Sequence, residues 1–367
     1  VAQLAEIRNP SSNTPIPKQK RKLFANPLNK SSIANYLMKE WTIKAREKLK
    51  QGKVLYLAGG FKESNKVVIV TEHGHSEVHE LESDHEEADS QMFVHISHAK
   101  HKYDIDRTII WSLDTDVAVL SVHYWHALET KELFFKTGFK QKRRYIPVHL
   151  IAQNLGRNIS LILPAVHSLS GCDSTSSFSH IGKARWLDMV IDHPELHEGL
   201  LLLGDDPTNI KTSALKASTQ LVSLMYTPKS YPSLDATRYA CFSKKCLKSD
   251  KLPPTTDAFS NHLQRVNYQT YIWLAACQPV LNIPSPIGNG WKHENRQLVP
   301  TLMQNDPAPH EILEFKKCGC RSDHPCRSRL CTCRREGLVC SDLCGCESED
   351  CVNRGYDDNS DDENVTD

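Results

Sequence analysis

The cysteines constrain the fold of this chain more than any other feature. Of the thirteen cysteines in 367 residues, nine fall within the last fifty residues. They follow the spacing C-x-C-x5-C-x4-C-x-C-x6-C-x3-C-x-C-x4-C and are Cys318, Cys320, Cys326, Cys331, Cys333, Cys340, Cys344, Cys346 and Cys351. A segment this short cannot bury a large apolar core, so cross-links or metal ions must hold it together.

Zinc explains this spacing better than disulfides do. Nine cysteines cannot all pair in disulfides, because nine is an odd number. The sequence also does not open with the charged, apolar and small-residue series of a signal peptide, so we expect a nuclear or cytosolic protein rather than a secreted one. Each tetrahedral zinc ion needs four ligands, and nine thiolates supply the twelve positions of three ions if three of them bridge. The sequence therefore predicts a cluster of three Zn²⁺ ions.

Four arginines lie among these cysteines and would offset the negative charge of a thiolate cluster. They are Arg327, Arg329, Arg334 and Arg335. The segment resembles one CXC repeat of the tesmin-type cysteine-rich domain, including Asn353 two residues after the last cysteine, although Leu330 stands where that family has tyrosine. Paired repeats of that family bind DNA, so the resemblance implies arginine contacts to a phosphate backbone. A single altered repeat leaves a structural or protein-contacting role open.

The rest of the composition is that of an ordinary globular protein. The formal net charge is +1, so nucleic-acid contacts must come from local patches. We predict a basic, proline-containing arm over 1–30, an α/β domain over 31–183 and a mainly helical extension over 184–305. The cysteine module follows at 310–354, and an acidic, disordered tail at 355–367. No apolar run reaches the length of roughly 20 residues that a membrane helix needs.

Short stretches rich in Val, Ile, Phe and Tyr predict five strands in the α/β domain. They are Val54–Leu57, Val67–Val70, Thr108–Ser112, Leu133–Lys136 and Arg144–Val148. Helical-length segments separate most of them, which favours a mainly parallel sheet with helices on both faces. Before the first strand, Ile33, Leu37 and Trp41 recur every four residues, which predicts a helix that packs on the sheet and is capped by Ser31 or Ser32.

Three segments place acidic side chains where a metal site could form. Glu87 and Asp89 precede a helical stretch, Asp114 and Asp116 directly follow an apolar strand, and Asp173 ends an apolar segment. In open α/β sheets, ligands bind beyond the carboxyl ends of the strands. Taken singly, each acidic residue is also a common helix cap.

The order and spacing of these segments resemble the flap-endonuclease and XPG group of PIN-like 5′ nucleases. That group has an E-A-[ED] segment, a D-x-D, a G-[SC]-D and then an I-G in a helical turn. Here they read Glu87-Ala88-Asp89, Asp114-Thr115-Asp116, Gly171-Cys172-Asp173 and Ile181-Gly182.

The resemblance implies a carboxylate cage for Mg²⁺ or Mn²⁺ and hydrolysis of a phosphodiester in nucleic acid, with DNA as the expected partner. It also implies that a helical hairpin grips phosphates through Ile181, Gly182, Lys183 and Arg185.

The family carries further aspartates upstream of its glutamate motif, whereas this chain has no aspartate before Asp84. Either the domain begins before Val1 or the site lacks two ligands. We therefore expect a nucleic-acid-binding protein that resembles Mg²⁺-dependent, structure-specific 5′ nucleases. We expect phosphodiester hydrolysis in its complete form and little cleavage by this chain alone. The alternative is a non-catalytic DNA- or chromatin-binding zinc protein on a degenerate nuclease scaffold, of possible mobile-element origin.

Overall fold

A computed structural model describes residues 6–7, 9–15, 20–245, 251–307, 317–321, 325–340, 344–346 and 351–354. The chain divides into two compact units. The first consists of residues 1–230 and 260–301, and the second of residues 231–259 and 302–367. Each unit is described separately below.

The first unit contains an antiparallel sheet whose order is β1 (Leu55–Ala58), β2 (Val67–Thr71) and β3 (Gly74–Glu77). Its strands alternate side chains between two apolar clusters. One cluster packs Leu57, Val68 and Val70 against Met38, and the other packs Val67 against Val94.

Helix α2 (Pro27–Lys44) supplies Met38 and so packs on this sheet as predicted, but two details of the prediction were wrong. The cap is Asn26, whose side chain accepts the Leu28 N–H at 3.0 Å, because Pro27 already occupies the first helical position. The expected apolar stripe is also not the buried face, since Trp41 is 47% exposed. A short helix, α1 (Lys20–Phe24), precedes α2 within the segment predicted as an arm.

A second sheet has the order β4 (Arg107–Trp111), β5 (Glu132–Thr137) and β6 (Arg144–Pro147). The pair β4–β5 is parallel, and β5–β6 is antiparallel. The predicted mainly parallel sheet was therefore wrong for the described residues, although the α/β class is confirmed. The reason is local: β5 and β6 are joined by a short loop, which can connect only antiparallel neighbours.

Helices cover one face of this second sheet. They are α3 (Ala88–Tyr103), α4 (Thr115–Leu128) and α5 (Val148–Ser170), the last of which breaks at Gly156. Buried side chains at this face include Phe93, Leu120, Leu133, Phe135 and Ala152. The opposite face exposes Ile109, Trp111 and Tyr145, so helices on both faces were not found in the described part of the chain.

Further helices and a small hairpin complete the described elements. They are α6 (Lys183–Asp192), α7 (His197–Leu200), α8 (Thr212–Tyr226), α9 (Leu234–Lys245), α10 (Thr256–Leu274), and the antiparallel strands β7 (Trp291–Glu294) and β8 (Gln297–Pro300). Helix α10 adds Trp273 to the core beneath the second sheet. None of the described helices has the length and apolar character needed to span a membrane.

The second unit contains α9 and the cysteine segment, where a short helix, α11 (Thr332–Arg335), follows Cys331. The acidic tail predicted for 355–367 lies outside the described residues, as do parts of the predicted basic arm.

Candidate metal centres

Five acidic side chains from three separate segments line one open pocket in the first unit. They are Glu87, Asp89, Asp114, Asp116 and Asp173, the same five that the sequence motifs single out. The structure therefore brings together residues that lie up to 86 positions apart in the sequence (173 − 87).

Glu87 and Asp89 reach the pocket from the beginning of α3. Glu87 occupies the cap position of this helix, but its side chain makes no capping hydrogen bond. Asp89 lies in the first turn, where the helix dipole favours a negative charge. The capping alternative therefore does not account for the Glu87 side chain.

Asp114 and Asp116 lie where β4 passes into α4. Asp114 caps α4, because its Oδ1 accepts the Asp116 N–H at 2.9 Å, and its own N–H donates to Ser112 Oγ at 3.0 Å. Asp114 thus caps α4 and also lines the pocket. The turn aims two carboxylates past the carboxyl end of β4, where ligands of α/β sheets collect.

Asp173 lies in a tight turn that follows α5. Gly171 has φ of +109°, and a Cβ atom there would approach the Ser177 backbone to within 2.7 Å, so only glycine fits. The Cys172 N–H donates to Thr175 Oγ1 at 3.0 Å, which closes the turn. This geometry leaves Asp173 exposed at the rim of the pocket.

Two of the acidic side chains, Glu87 and Asp89, have a raised pKa. Burial raises the pKa of Glu87 above its ordinary value, and the charges of Asp89, Asp116, Asp173 and Asp114 raise it further. Burial also raises the pKa of Asp89, together with the charges of Asp114, Asp116 and Asp173. A site that disfavours its own negative charges in this way is suited to a cation.

A buried histidine holds one of these carboxylates. His167 lies inside α5, and its Nε2 is 2.7 Å from Oδ1 of Asp116. Its other ring nitrogen, Nδ1, lies 3.2 Å from the Nζ atom of Lys183. A lysine ammonium can only donate, so Nδ1 accepts and Nε2 carries the proton that Asp116 accepts.

Lys183 is an exposed residue, but its ammonium contacts the end of α5. Its Nζ atom donates to the carbonyl oxygen of Gly171 and lies 3.3 Å from Ser170 Oγ, so it satisfies the carboxyl end of α5. Burial lowers the pKa of Lys183, and the charge of Asp116 opposes that shift. Lys183 therefore supports the end of α5 in this structure, and its contact to nucleic acid stays a prediction.

The remaining predicted phosphate contacts lie at the start of α6. Gly182 occupies the cap position of α6, and Arg185 is exposed in its first turn. Ile181 precedes them in a turn and is partly buried. No acidic partner of Arg185 is found among the described residues, so this arginine remains a predicted contact.

Sequence reasoning missed four residues that line the pocket. They are Cys172, Ser174, Gln269 and Trp273. Ser174 Oγ donates to Gln269 Oε1 at 2.6 Å, which ties the Asp173 turn to α10. Gln269 and Trp273 are four positions apart on one helix, but nothing in their local sequence links them to carboxylates that lie 96 to 186 positions away.

The carboxylate pocket is wide. In the described part of the chain, groups of three or more metal-ligand atoms within 4.8 Å of one another consist of cysteines alone. A wider ring of carboxylates suits Mg²⁺ or Mn²⁺, because Mg²⁺ in particular keeps several water ligands and takes only one or two protein carboxylates directly.

The second candidate centre is the cysteine cluster of the second unit. Eight of its nine cysteines are buried against one another, and Cys320 is partly exposed. Seven of the nine sulfur atoms form three overlapping groups of four, which are Cys318, Cys326, Cys331 and Cys340; Cys318, Cys340, Cys344 and Cys346; and Cys326, Cys340, Cys346 and Cys351. The sulfur atoms of Cys320 and Cys333 belong to none of these groups. The cluster can therefore hold metal ions.

The spacing of the sulfur atoms matches a tetrahedral zinc site. With a Zn–S bond of about 2.3 Å, the edge of the tetrahedron is about 3.8 Å. The observed separations are 3.4 Å for Cys318–Cys326, 3.8 Å for Cys318–Cys340 and 3.9 Å for Cys331–Cys340. Cys340 belongs to all three groups, which makes it the strongest candidate for a bridging thiolate.

Polar groups around the cluster stabilise thiolates and loops. Asn353 Nδ2 donates to Cys340 Sγ at 3.3 Å and to the Leu338 carbonyl at 2.9 Å. Arg334 donates from one nitrogen to the carbonyl oxygens of Cys326 and Arg327, at 3.0 and 2.9 Å. Arg334 therefore holds a loop of the module.

The other three predicted arginines differ in their surroundings. Arg335 pairs with the neighbouring Glu336 at 3.3 Å, whereas Arg327 and Arg329 are exposed with no acidic partner among the described residues. Arg327 and Arg329 are thus the best placed to contact a phosphate backbone.

The comparisons with known proteins give no family for this chain. No family model matches it, and searches of curated proteins and of solved structures found no significant match. The function must therefore be argued from the two centres.

Proposed function

We propose that this chain is a nucleic-acid-binding protein whose first unit is a PIN-like, flap-endonuclease-related scaffold that hydrolyses phosphodiesters with Mg²⁺ or Mn²⁺. The convergence of five carboxylates on one pocket carries this proposal. Carboxylates with a purely structural role normally pair with cationic side chains. Glu87 and Asp89 lie instead among like charges, which raise the pKa of each. A divalent cation would remove that repulsion.

The residues of the chain prepare the site for such chemistry. When bound, divalent cations would activate a water molecule and stabilise the leaving oxygen. The chain orients its carboxylates beforehand: α4 holds Asp114 through the Asp116 N–H, and His167 holds Asp116. Lys183 places a cation beside Asp116 and keeps His167 in the tautomer that donates to it.

Cleavage of branched DNA tests this function directly. A 5′-labelled flap substrate is incubated with the full chain and Mn²⁺, and the products are separated on a denaturing gel. We expect this chain to cleave weakly, because it has no aspartate before Asp84 to complete the carboxylate cage. Asp114→Asn and Asp173→Asn should each abolish this metal-dependent cleavage, while Asp206→Asn, at an exposed turn, leaves it unchanged. Cleavage that persists in both pocket variants would contradict the proposal.

A second candidate function is that of a non-catalytic nucleic-acid-binding zinc protein, favoured by the exposed Arg327 and Arg329 beside the cysteine cluster. It predicts duplex binding that depends on these arginines and no cleavage under any metal. Replacing both by Gln should then weaken binding and flatten its salt dependence by about 2 units of log–log slope. Cys→Ser variants of the cluster should lose the same binding.

In both functions we propose three Zn²⁺ ions in the cysteine cluster and a nuclear location. The sulfur spacing supports zinc, because the separations of 3.4 to 3.9 Å lie close to the edge of about 3.8 Å expected for a tetrahedral zinc site.

A further inference from the structure

The uncovered face of the second sheet carries a row of aromatic and basic side chains. Trp111, Lys136 and Tyr145 are register partners across β4, β5 and β6. The Lys136 ammonium lies 3.8 Å from the centre of the Trp111 ring and 5.8 Å from that of Tyr145. Ile109 and Phe134 form the next row of the same face. We call these five residues the aromatic face.

The rings of this face are accessible. Trp111 is 64% exposed and Tyr145 is 54% exposed, although both have the size and shape that normally fill a core. An exposed aromatic patch of this kind marks a binding surface more often than an isolated exposed side chain does.

A basic loop leaves the sheet at the same edge. We define it as residues 138–144, that is, the connection between β5 and β6 together with the first residue of β6. Its cations are Lys140, Lys142, Arg143 and Arg144. All four are exposed, and none has an acidic partner in the described part of the chain. Gly138 has φ of +83°, and a Cβ there would lie 2.2 Å from the Lys142 carbonyl oxygen, so the close turn depends on glycine.

The aromatic face and the basic loop lie at the edge of the sheet that carries the carboxylate pocket. The strands β4 and β5 are parallel, so their carboxyl ends meet at one edge. Trp111 and Lys136 are the register pair nearest that edge, Asp114 follows Trp111 by three residues, and the basic loop leaves from the end of β5.

We infer that this surface binds single-stranded nucleic acid, with bases stacked on Trp111 and Tyr145 and phosphates along Lys136 and the basic loop. Aromatic rings on a sheet face together with unpaired cations are the combination that single strands recognise, because unpaired bases offer free π-faces and the backbone offers regular negative charge. Duplex bases are already stacked and cannot use the rings. The inference extends the proposed function by naming its substrate class, and it rests on that function for the role of the neighbouring carboxylates.

Binding of an oligonucleotide by the full chain tests the inference without hydrolysis. Fluorescence anisotropy of a labelled 15-residue deoxythymidine strand and of a duplex of equal length is measured without Mg²⁺ or Mn²⁺, over a range of salt concentrations. We expect Trp111→Ala and Tyr145→Ala each to weaken single-strand binding about tenfold, with the salt slope unchanged. Trp111→Phe should restore most of the affinity, because it keeps a stacking ring.

The charged residues and a matched control sharpen this test. Replacing Lys142, Arg143 and Arg144 together by Gln should flatten the salt slope by about 2. Trp41→Ala removes a tryptophan of similar exposure on α2 and should leave binding unchanged. None of the aromatic variants should alter duplex binding.

Two results would overturn the inference. One is equal single-strand affinity in the parent and in Trp111→Ala. The other is a dimer in light scattering that Trp111→Ala dissociates, which would make this face a contact between two chains. Failure of cleavage with the expected binding pattern would count against the hydrolytic function alone, so the two proposals can fail separately.

Discussion

The imidazole of His167 joins Asp116 to Lys183, with Nε2 2.7 Å from the Asp116 carboxylate and Nδ1 3.2 Å from the lysine ammonium. His167 is buried and sits next to the Trp273 ring, with centroids 5.7 Å apart. The packing leaves the imidazole little freedom, so Asp116 is held in one orientation toward the pocket.

The first prediction concerns this orientation. We expect Mn²⁺ to raise the melting temperature of the parent chain by ligand linkage, and His167→Leu to reduce that rise because Asp116 loses its donor. His167→Gln keeps an N–H donor of similar reach and should restore part of the rise. Thermal melts with and without Mn²⁺ measure both. An equal Mn²⁺ response in His167→Leu and the parent would show that His167 does not orient a ligand.

The second prediction concerns the carboxylates without metal. The pKa of Glu87 is raised in the folded chain, so ionisation of this side chain lowers the free energy of unfolding. The loss develops as the pH rises from the ordinary pKa of 4.5 through the raised pKa of the folded chain. At pH 7 Glu87→Gln and Asp173→Asn should therefore leave the free energy of unfolding unchanged or raise it. Urea unfolding in buffer free of Mg²⁺ and Mn²⁺ measures this change.

Asp206 is the matched control, because hydrogen bonds from the Thr208 N–H and hydroxyl lower its pKa. Asp206→Asn should destabilise the chain at the same pH. Destabilisation by the pocket variants as well would mean that their carboxylates act as structural caps.

The third prediction ranks the cysteines. Cys340→Ser should release the most zinc, because its sulfur belongs to all three groups of four. Cys320→Ser should release the least, since Cys320 is partly exposed and belongs to none of them. Elemental analysis of the full chain should find close to three zinc ions in the parent. One zinc ion per chain, or equal loss in the two variants, would rule out the bridged arrangement.

The fourth prediction concerns Asn353, which donates to the Cys340 sulfur. Asn353→Asp replaces that donor by a negative charge beside a thiolate, so it should lower zinc affinity more than Asn353→Ala does. Competition with a chromogenic chelator measures the release of zinc. Similar release by both variants would limit Asn353 to its bond with the Leu338 carbonyl.

The fifth prediction is a dependence of stability on pH. Burial lowers the pKa of His262 to about 4, while its bond to the Leu169 carbonyl opposes the shift. As the pH falls, His262 takes up its proton in the unfolded chain before it does so in the folded chain. The free energy of unfolding is therefore unaffected above the ordinary pKa of 6.5 and decreases as the pH falls toward 4, by about 3 kcal/mol in total.

His262→Gln should remove this part of the acid sensitivity, whereas the same change at the exposed His73 should not. Urea unfolding at pH 7, 5.5 and 4.5 measures it. Parallel pH curves for His262→Gln and the parent would contradict the prediction.

Local patterns in the sequence determined much of the secondary structure and most members of both centres. The five predicted strands match β1, β2, β4, β5 and β6 to within one residue at each end, because short runs of β-branched and aromatic residues between turns decide where strands form. The cysteine spacing likewise predicts the cysteine cluster, because the cysteines that form it are close together in the sequence. Strand β3, Gly74–Glu77, was missed because its residues are polar and exposed.

Tertiary structure alone decided how these pieces meet. The sequence placed five carboxylates at helix starts and strand ends, but only the packed chain puts His167 behind Asp116 and Gln269 beside the Asp173 turn. It also joined the Lys183 ammonium to the end of α5, and it left Trp111 uncovered although helices were predicted on both faces of the sheet. The physical reason is the distance along the chain over which each effect acts. Propensities and spacings act over a few residues, whereas side-chain partners and exposed faces depend on contacts between segments up to 197 residues apart.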